Sequence, residues 1–345
     1  MLSAILSCRS NNFRFWNRRP KLANSNCIAY ASDMSGPLVM HADTVQTPLQ
    51  CPVCQASAVF AFTKREWRIW RCPACDFRFV WPAPPSTEAI YDEDYFRGAA
   101  AGFGYADYDE DKIAMESFFA SVLATIRSFR SPPGALLDIG AATGFFLRMA
   151  QMEGWRGTGV EISSFACRRA HAAGLDVRCG TLETVSLPPG AFDAITLMDV
   201  LEHVSDPASM LARCRALLRP GGIIAINTPD ASSAWARVFG TRWHAYCPPE
   251  HLSYFNATNA AALLRSTGFR PLAVRKFGKR FTPAYVFSML ARWQGIGFWD
   301  AASRWIGRTP LNRLALPVNI RDNFCIFAER SPDMAQREGA KTGIT

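Results

Sequence analysis

The chain has 345 residues, with 38 lysines and arginines against 29 acidic residues and a net charge of +9. Its length allows two domains of ordinary size, and an apolar fraction of 49% excludes a wholly disordered protein. The basic excess is spread out without a dense Lys/Arg run, which favours a solvated surface over a nucleic-acid binder. No apolar run is long enough to cross a membrane.

Residues 1–48 are predicted to form a disordered tail, or an over-long start with true initiation at Met34 or Met40. The segment is basic and contains no acidic residue before Asp33, a composition that an amphipathic targeting peptide shares. Its apolar start is too short for a secretory signal. We therefore leave this tail out of the fold prediction.

Residues 49–82 are predicted to form a zinc-ribbon-like knuckle. Four cysteines in this segment have the spacing Cys-x2-Cys-x17-Cys-x2-Cys: Cys51, Cys54, Cys72 and Cys75. Two such turns can surround one tetrahedral ion, and four thiolates leave no open position, so we expect structural Zn²⁺. The spacing also allows an iron–sulfur cluster. Alternating apolar residues between the two pairs predict a β-hairpin that carries them.

The other seven cysteines show no framework spacing: Cys8, Cys27, Cys167, Cys179, Cys214, Cys247 and Cys325. Scattered cysteines of this kind are typical of a reducing compartment, so we expect a cytoplasmic protein.

Residues 83–133 are predicted to be a linker that ends in an amphipathic helix, about Asp111 to Phe129. From residue 134 to 330, short apolar runs alternate with helical patterns. The predicted strands are Ala135–Ile139, Gly157–Glu161, Ala194–Met198 and Gly222–Asn227. The predicted helices are Phe145–Glu153, Ser163–Ala173 and Pro207–Leu218. This alternation predicts a doubly wound, Rossmann-like α/β fold with helices on both faces of a parallel sheet.

The stretch LLDIGAATGFF places a glycine turn at the end of the first of these strands. Glycines let the backbone turn sharply and approach a ligand, and Asp138 can accept hydrogen bonds there. The next strand ends on Glu161, where a carboxylate can accept both hydroxyls of a ribose. Because Asp138 is unfavourable beside a pyrophosphate and favourable beside a cationic aminoacyl group, the charge favours S-adenosylmethionine over NAD.

These motifs resemble those of class I S-adenosylmethionine-dependent methyltransferases, most closely a bacterial group with a cysteine knuckle ahead of the catalytic domain. The matching stretches include LLDIGAATGFFL, GVEIS, LMDVLEHVSDP, LLRPGGIIAINTPD and PPEHLSYFN. The resemblance implies a seven-stranded, mostly parallel sheet over 134–330. It also implies these cofactor contacts: Asp138, Gly140, Ala142, Gly144, Glu161, Ile162, Thr181, Leu182, Met198 and Asp199. Two departures from the family pattern are Ala142, where many relatives have glycine, and Thr181, where many have aspartate.

Candidate bases lie in two loops expected at the cofactor edge of the sheet. The first loop, LEHVSDP, contains Glu202 and His203, and the second, WHAYCPPEHLSY, contains His244, Glu250, His251 and Tyr254. We expect His251, His203, Glu250 and Tyr254 to be catalytic, since histidine is the natural base at neutral pH. His203 could equally brace the following helix, His244 is expected to be structural, and Trp235, Trp243 and Tyr246 could line a pocket or simply fill the core.

The segment at about 283–306 is predicted to be a helical insert, with helices Ala284–Trp293 and Trp299–Ile306. It mixes aromatic and basic residues, so it could cover the substrate cleft or touch a membrane surface, and we favour the cover. The run NFCIFAER is predicted to be the last strand, and 331–345 a disordered tail.

The favoured function is methyl transfer to a small molecule, sugar or polysaccharide-type acceptor. The alternatives are an RNA methyltransferase and a cofactor-binding module without activity. RNA would be bound through the aromatic and basic residues of the ribbon, which are Lys64, Arg65, Trp67, Arg68, Trp70, Arg71, Arg78 and Trp81. The oligomeric state and the acceptor are not specified by any motif.

Overall fold

The computed structural model describes residues 48–84, 91, 115–281, 283–284, 287, 297–313, 316–318 and 321–332. Most of the N-terminal tail, most of the 83–133 linker, most of the predicted helix Ala284–Trp293 and almost all of the C-terminal tail lie outside these residues.

The strands and helices follow one another in the predicted alternation through the second half of the chain. The strands are β1 (Val59–Lys64), β2 (Trp67–Arg71), β3 (Arg78–Val80), β4 (Ala135–Ile139), β5 (Arg156–Glu161), β6 (Val177–Cys179), β7 (Phe192–Met198), β8 (Leu218–Pro229), β9 (Ser253–Tyr254), β10 (Phe269–Arg275), β11 (Lys279–Phe281), β12 (Leu316–Val318) and β13 (Asn323–Arg330). The α-helices are α1 (Glu116–Phe129), α2 (Phe145–Met152), α3 (Ser164–Ala172), α4 (Pro207–Leu217), α5 (Ala234–Phe239), α6 (Ala257–Ser266) and α7 (Gly297–Gly307).

The larger sheet has seven strands in the order β10-β13-β8-β7-β4-β5-β6. Strand β13 is antiparallel to both of its neighbours, and the remaining pairs are parallel. This is the predicted Rossmann-like fold. The order reverses at β4, so a crevice opens at the carboxyl ends of β4 and β7, where ligands bind in such sheets.

The hydrophobic core lies on both faces of this sheet. Along β4, Leu137 and Ile139 pack on one face and Leu136 on the other, because successive side chains of a strand alternate. Helix α1 covers the second face with five buried apolar side chains. Helix α4 begins at Pro207, and the side chain of Asp206 caps it by accepting a hydrogen bond from the backbone N–H of Ser209.

A smaller antiparallel sheet contains the knuckle hairpin, in the order β1-β2-β3-β9. Its fourth strand comes from the distant PPEHLSY loop, which the sequence did not indicate. Trp243, Tyr246 and Tyr254 are buried beneath this sheet, and Trp235 packs against them. These aromatic residues therefore fill a core and do not line an open pocket.

One observation differs from the expected cysteine chemistry. Cys167 in α3 and Cys179 at the end of β6 are joined by a disulfide. Their spacing of 12 residues matches no known disulfide framework, so the sequence does not predict this bond. Among the described residues, no helix is both long enough and apolar enough to span a membrane.

Candidate active site

The glycine turn after β4 forms the floor of the crevice. Gly140 and Gly144 have φ angles of +73° and +86°, which L side chains rarely adopt. A Cβ at Gly140 would lie 2.5 Å from a methyl of Val200, and one at Gly144 would lie 2.1 Å from a methyl of Leu175. The glycines are therefore required by the turn and by the packing behind it.

Glu161 links this turn to the end of β5. Its carboxylate accepts hydrogen bonds from the backbone N–H groups of Ala142 and Ser163, at 2.7 Å each. Burial raises the pKa of this carboxyl group, and these backbone N–H groups oppose the rise by stabilising the charge. Ala142 has a φ of +50°, which explains why a glycine suits this position. A carboxylate offers about four lone-pair sites, so two remain for ribose hydroxyls.

Two further acids lie at strand ends beside Glu161. Asp138 is buried and accepts a hydrogen bond of 2.6 Å from the hydroxyl of Thr196. Asp199 follows β7 with a φ of +59°, and its carboxylate accepts hydrogen bonds from the side chains of Asn227 and Asn323. Three carboxyl groups at one edge favour a cationic ligand over a pyrophosphate.

His203 and His251, from the two candidate loops, come together at this edge. Their ring centroids lie 4.7 Å apart, edge to face. The Nδ1 of His251 lies 2.9 Å from the carbonyl oxygen of Ala245, and the Nδ1 of His203 lies 2.9 Å from that of Glu250. Because a carbonyl can only accept, each Nδ1 carries the proton and each Nε2 presents a lone pair.

Both Nε2 atoms are buried and have no hydrogen-bond partner among the described residues. Burial lowers the pKa of His203 to about 4, and burial together with His203 holds the pKa of His251 well below its usual value. Both rings are therefore neutral at neutral pH. A buried neutral imidazole with a free lone pair is a proton acceptor that lacks only its donor.

Two glutamates complete the cluster. A carboxylate oxygen of Glu202 and one ring nitrogen each from His203 and His251 all lie within 4.8 Å of one another. Burial and the charge of Asp199 hold the pKa of Glu202 well above its usual value, while its Oε2 accepts a hydrogen bond of 3.0 Å from Thr228. Burial raises the pKa of Glu250 to about 7.

Tyr91 also contacts the histidine cluster, which no motif of the sequence predicts. Its hydroxyl oxygen lies 2.9 Å from the Nδ1 of His203, and because this Nδ1 carries the proton that it donates to the carbonyl of Glu250, the Tyr91 oxygen can only accept from it. Burial and the nearby carboxylates of Glu250, Glu202 and Glu161 hold its pKa well above the usual value. Tyr91 and His203 are 112 residues apart in the sequence, and no local pattern indicates that they meet.

The remaining candidates occupy different positions. Tyr254 is buried, and its hydroxyl donates to the carbonyl oxygen of His251 at 2.8 Å, so it contacts the cluster through the backbone. His244 lies outside the cluster, and its Nε2 is 3.4 Å from a carboxylate oxygen of Asp322. Thr181 and Leu182 follow β6, and Ile162 and Met198 are half-buried at the ends of β5 and β7.

The ribbon holds the His251 loop in place. Strand β3 pairs with β9, which begins two residues after His251. The backbone N–H of Val80 donates to the carbonyl oxygen of Leu252 at 2.9 Å, and the N–H of Leu252 donates to that of Glu202 at 2.8 Å. One residue of the loop thus bonds to the ribbon on one side and to the first histidine loop on the other.

The four knuckle cysteines form a compact cluster. Their Sγ atoms lie 3.4 to 3.6 Å apart in the pairs Cys54–Cys72, Cys54–Cys75 and Cys51–Cys75. Sulfurs bound at about 2.3 Å to one tetrahedral ion lie roughly 3.8 Å apart, so the cluster fits Zn²⁺. Gln55 and Asp76, each following the second cysteine of its pair, both adopt positive φ, which makes the two turns alike.

Several basic residues proposed for RNA binding are engaged within the protein. Arg71 and Arg78 pair with Asp76, and Arg78 also donates to the hydroxyl of Tyr246. Lys64 donates to the carbonyl oxygen of Thr241 at 2.8 Å. Because these contacts already use cationic groups of the ribbon, the surface is less suited to phosphates than its sequence indicates.

Residues 112–274 match the family described as a methyltransferase domain. The chain is 34% identical over 100 residues to a ubiquinone biosynthesis O-methyltransferase from Chromobacterium violaceum, which covers 27% of this chain and 43% of that relative. It is 28% identical over 170 residues to the enzyme of the same name from Bordetella bronchiseptica, covering 45% and 70%. The chain thus spans less than half of the first relative.

Solved methyltransferase structures are also similar. One is a 1,6-didemethyltoxoflavin-N1-methyltransferase from Burkholderia thailandensis, with 16% identity, coverage of 79% and 99%, and a TM-score of 0.45. Another is an S-adenosylmethionine-dependent methyltransferase from Mesorhizobium loti, with 21% identity, coverage of 64% and 99%, and a TM-score of 0.41. Together, the match over 112–274 and the seven-stranded sheet identify a class I, S-adenosylmethionine-dependent methyltransferase domain in this chain.

Proposed function

We propose that this protein transfers a methyl group from S-adenosylmethionine to a small-molecule or saccharide acceptor, and that His251, packed against His203, receives the acceptor's proton. The observation that carries the proposal is the pair of buried Nε2 lone pairs without partners beside the strand ends. A buried polar atom left unpaired costs about 1–3 kcal/mol, so its persistence points to a ligand that supplies the missing donor.

The donor provides a methyl group already activated by the positive sulfonium. Glu161 would hold the ribose hydroxyls of the donor through its free lone pairs, and Asp138 and Asp199 would favour its positive charge. The exposed Gly140, the half-buried Thr181 and the buried Leu182 would lie against the rest of the nucleoside. Ile162, Met198, Ala142 and Gly144 complete the proposed contacts.

His251 is the proposed base. Its Nδ1–H is fixed on the carbonyl of Ala245, so its Nε2 accepts the proton of the acceptor while the acceptor's lone pair forms the new bond to carbon. His203 packs against this ring and supports its orientation. Glu250, once ionised, would supply negative charge that stabilises the imidazolium formed in this step, whereas Glu202 would stay protonated because its pKa is held well above the usual value. Tyr254 is a positioning residue, because it bonds to the backbone of His251.

Relatives named as O-methyltransferases support a hydroxyl as the acceptor group. A buried histidine cluster also suits a small acceptor better than a polymer, because a polymer needs an open groove. We propose that the knuckle binds one structural Zn²⁺ and holds the His251 loop through β3 and β9. Four thiolates leave no open position on such an ion.

The proposal is tested with a donor labelled on its methyl group and fractions of a cell extract sorted by size. Labelled product is expected in the small-molecule fraction with the wild-type protein. His251→Ala is expected to lower kcat by about 100-fold or more while changing the affinity for S-adenosylhomocysteine less than twofold.

His244→Ala is the matched control, since this histidine lies in the same loop but outside the cluster. It is expected to retain wild-type turnover. Full turnover of His251→Ala, or label appearing only in RNA, would contradict the proposal.

A further inference from the structure

The disulfide Cys167–Cys179 joins the two segments that flank the proposed adenosine position. Its Cα atoms lie 5.9 Å apart, within the usual range of roughly 4.4–6.8 Å. Cys167 belongs to α3, which begins after the Glu161–Ser163 turn, and Cys179 ends β6, directly before Gly180 and Thr181. The bridge therefore connects the proposed ribose segment to the proposed adenine segment.

Both cysteines are tied to the backbone of Glu161. The Sγ of Cys167 lies 3.4 Å from the carbonyl oxygen of Glu161, and the backbone N–H of Gly180 donates to the same oxygen at 2.8 Å. In the sheet, Cys179 is the register partner of Glu161. Making or breaking the disulfide is therefore expected to shift the backbone of Glu161, whose carboxylate is proposed to hold the ribose.

We propose that Cys167 and Cys179 are a reversible redox pair that sets the protein's affinity for S-adenosyl nucleosides. The proposal rests on the cofactor contacts of the proposed function, and it adds a modification site that methyl transfer itself does not require. The other described cysteines are in the knuckle or buried singly in the core, so this pair is separate from both.

The accessibility of the two sulfurs defines the chemistry. Cys179 is exposed, whereas Cys167 is 1% exposed. With glutathione disulfide as the oxidant, the thiolate of Cys179 attacks one glutathione sulfur and releases the first glutathione as a thiolate. The thiolate of Cys167 then attacks the sulfur of Cys179 and releases the second glutathione. Two electrons pass to glutathione, and the two cysteine protons end on its two thiol products.

The direction of the effect follows from the position of the bridge. With the bond present, α3 and the end of β6 are held at a fixed spacing before the nucleoside binds. With the bond reduced, Gly180, which has a φ of +139°, and the residues after it gain conformational freedom that binding must remove. The oxidised protein is therefore expected to bind S-adenosylhomocysteine about fivefold more tightly than the reduced protein.

The test measures binding of S-adenosylhomocysteine by calorimetry to full-length protein equilibrated with glutathione disulfide or with reduced glutathione. Intact mass after thiol alkylation reports the state of the pair in each sample. Cys179→Ser is the matched variant, because it removes the exposed sulfur and leaves every knuckle cysteine in place. The wild type is expected to show the difference in affinity, and Cys179→Ser is expected to show none.

Equal affinity of oxidised and reduced wild type, or the same redox dependence in Cys179→Ser, would overturn the proposal. Failure of the proposed function is distinguishable from this result. A protein that binds the nucleoside in a redox-dependent way but methylates no acceptor supports the redox pair and contradicts only the proposed function. A protein that binds no nucleoside in either state contradicts both.

Discussion

The imidazole rings of His203 and His251 meet edge to face with centroids 4.7 Å apart, although they belong to loops that follow different strands. Each ring has its Nδ1 on a backbone carbonyl and its Nε2 without a partner among the described residues. This shared geometry fixes the tautomer of both rings and places two proton acceptors at one point. The chemistry of the site follows from this contact.

The pH dependence of catalysis should be set by Glu250 and not by the histidines. His203 has a pKa of about 4, so it stays neutral from pH 6 to 9, while Glu250, with a pKa of about 7, ionises within that range. On the proposed mechanism, ionised Glu250 stabilises the imidazolium, so kcat/KM is expected to rise as pH increases through 7. Steady-state rates should show this inflection in the wild type. Glu250→Gln should lose it, and an unchanged profile in that variant would refute the role of Glu250.

Glu161 should control the affinity for the donor. Glu161→Gln keeps one acceptor for the backbone N–H groups and removes the charge, so S-adenosylhomocysteine should bind about 10- to 100-fold more weakly. Calorimetry measures the change. Glu183→Gln is the matched control, since Glu183 is an exposed acid that follows Leu182 in the sequence. Wild-type affinity in Glu161→Gln would remove this residue from the cofactor site.

Removing the metal proposed for the knuckle should lower turnover at the histidine cluster without changing the affinity for the nucleoside. The ribbon holds the His251 loop through β3 and β9, whereas the hydrogen bonds of the Glu161 carboxylate, within the described part of the chain, come from Ala142 and Ser163. Chelation, or Cys54→Ser, is expected to lower kcat about tenfold and to leave nucleoside affinity within about twofold. Metal analysis, turnover and calorimetry on the same sample give the three values. If turnover and nucleoside affinity fell by the same factor, the ribbon would be shown to support the whole domain.

Gly144 and Gly174 allow backbone strain to be separated from packing. Both have a positive φ, but a Cβ at Gly144 would collide with Leu175, whereas a Cβ at Gly174 has nothing within 4 Å. Gly174→Ala should therefore cost about 1 kcal/mol of unfolding free energy, from strain alone. Gly144→Ala should cost about 3 kcal/mol or more, because the collision adds to the strain. Denaturant unfolding measures both, and equal costs would contradict the packing argument.

Much of the fold could be predicted because its signals are local. The apolar strands β4, β5 and β7, the glycine turn and the Asp206 cap each depend on residues close in sequence, and hydrophobic periodicity reports such elements directly. The four knuckle cysteines were recognisable for the same reason, since each pair lies within a single turn. The strand ends carrying Asp138 and Glu161 followed from the rule that parallel strands meet at one edge.

Tertiary structure alone decided which candidate residues meet. Nothing local indicates that His203 contacts His251, that Tyr91 reaches His203, or that β3 pairs with a strand from the His251 loop. The same holds for Cys167 and Cys179, whose bond depends on how α3 packs against β6. The sequence determined the sheet, the nucleoside edge and the metal knuckle. Chain packing determined the proton-accepting cluster and the disulfide, because contacts between distant segments arise only when their apolar faces are buried together.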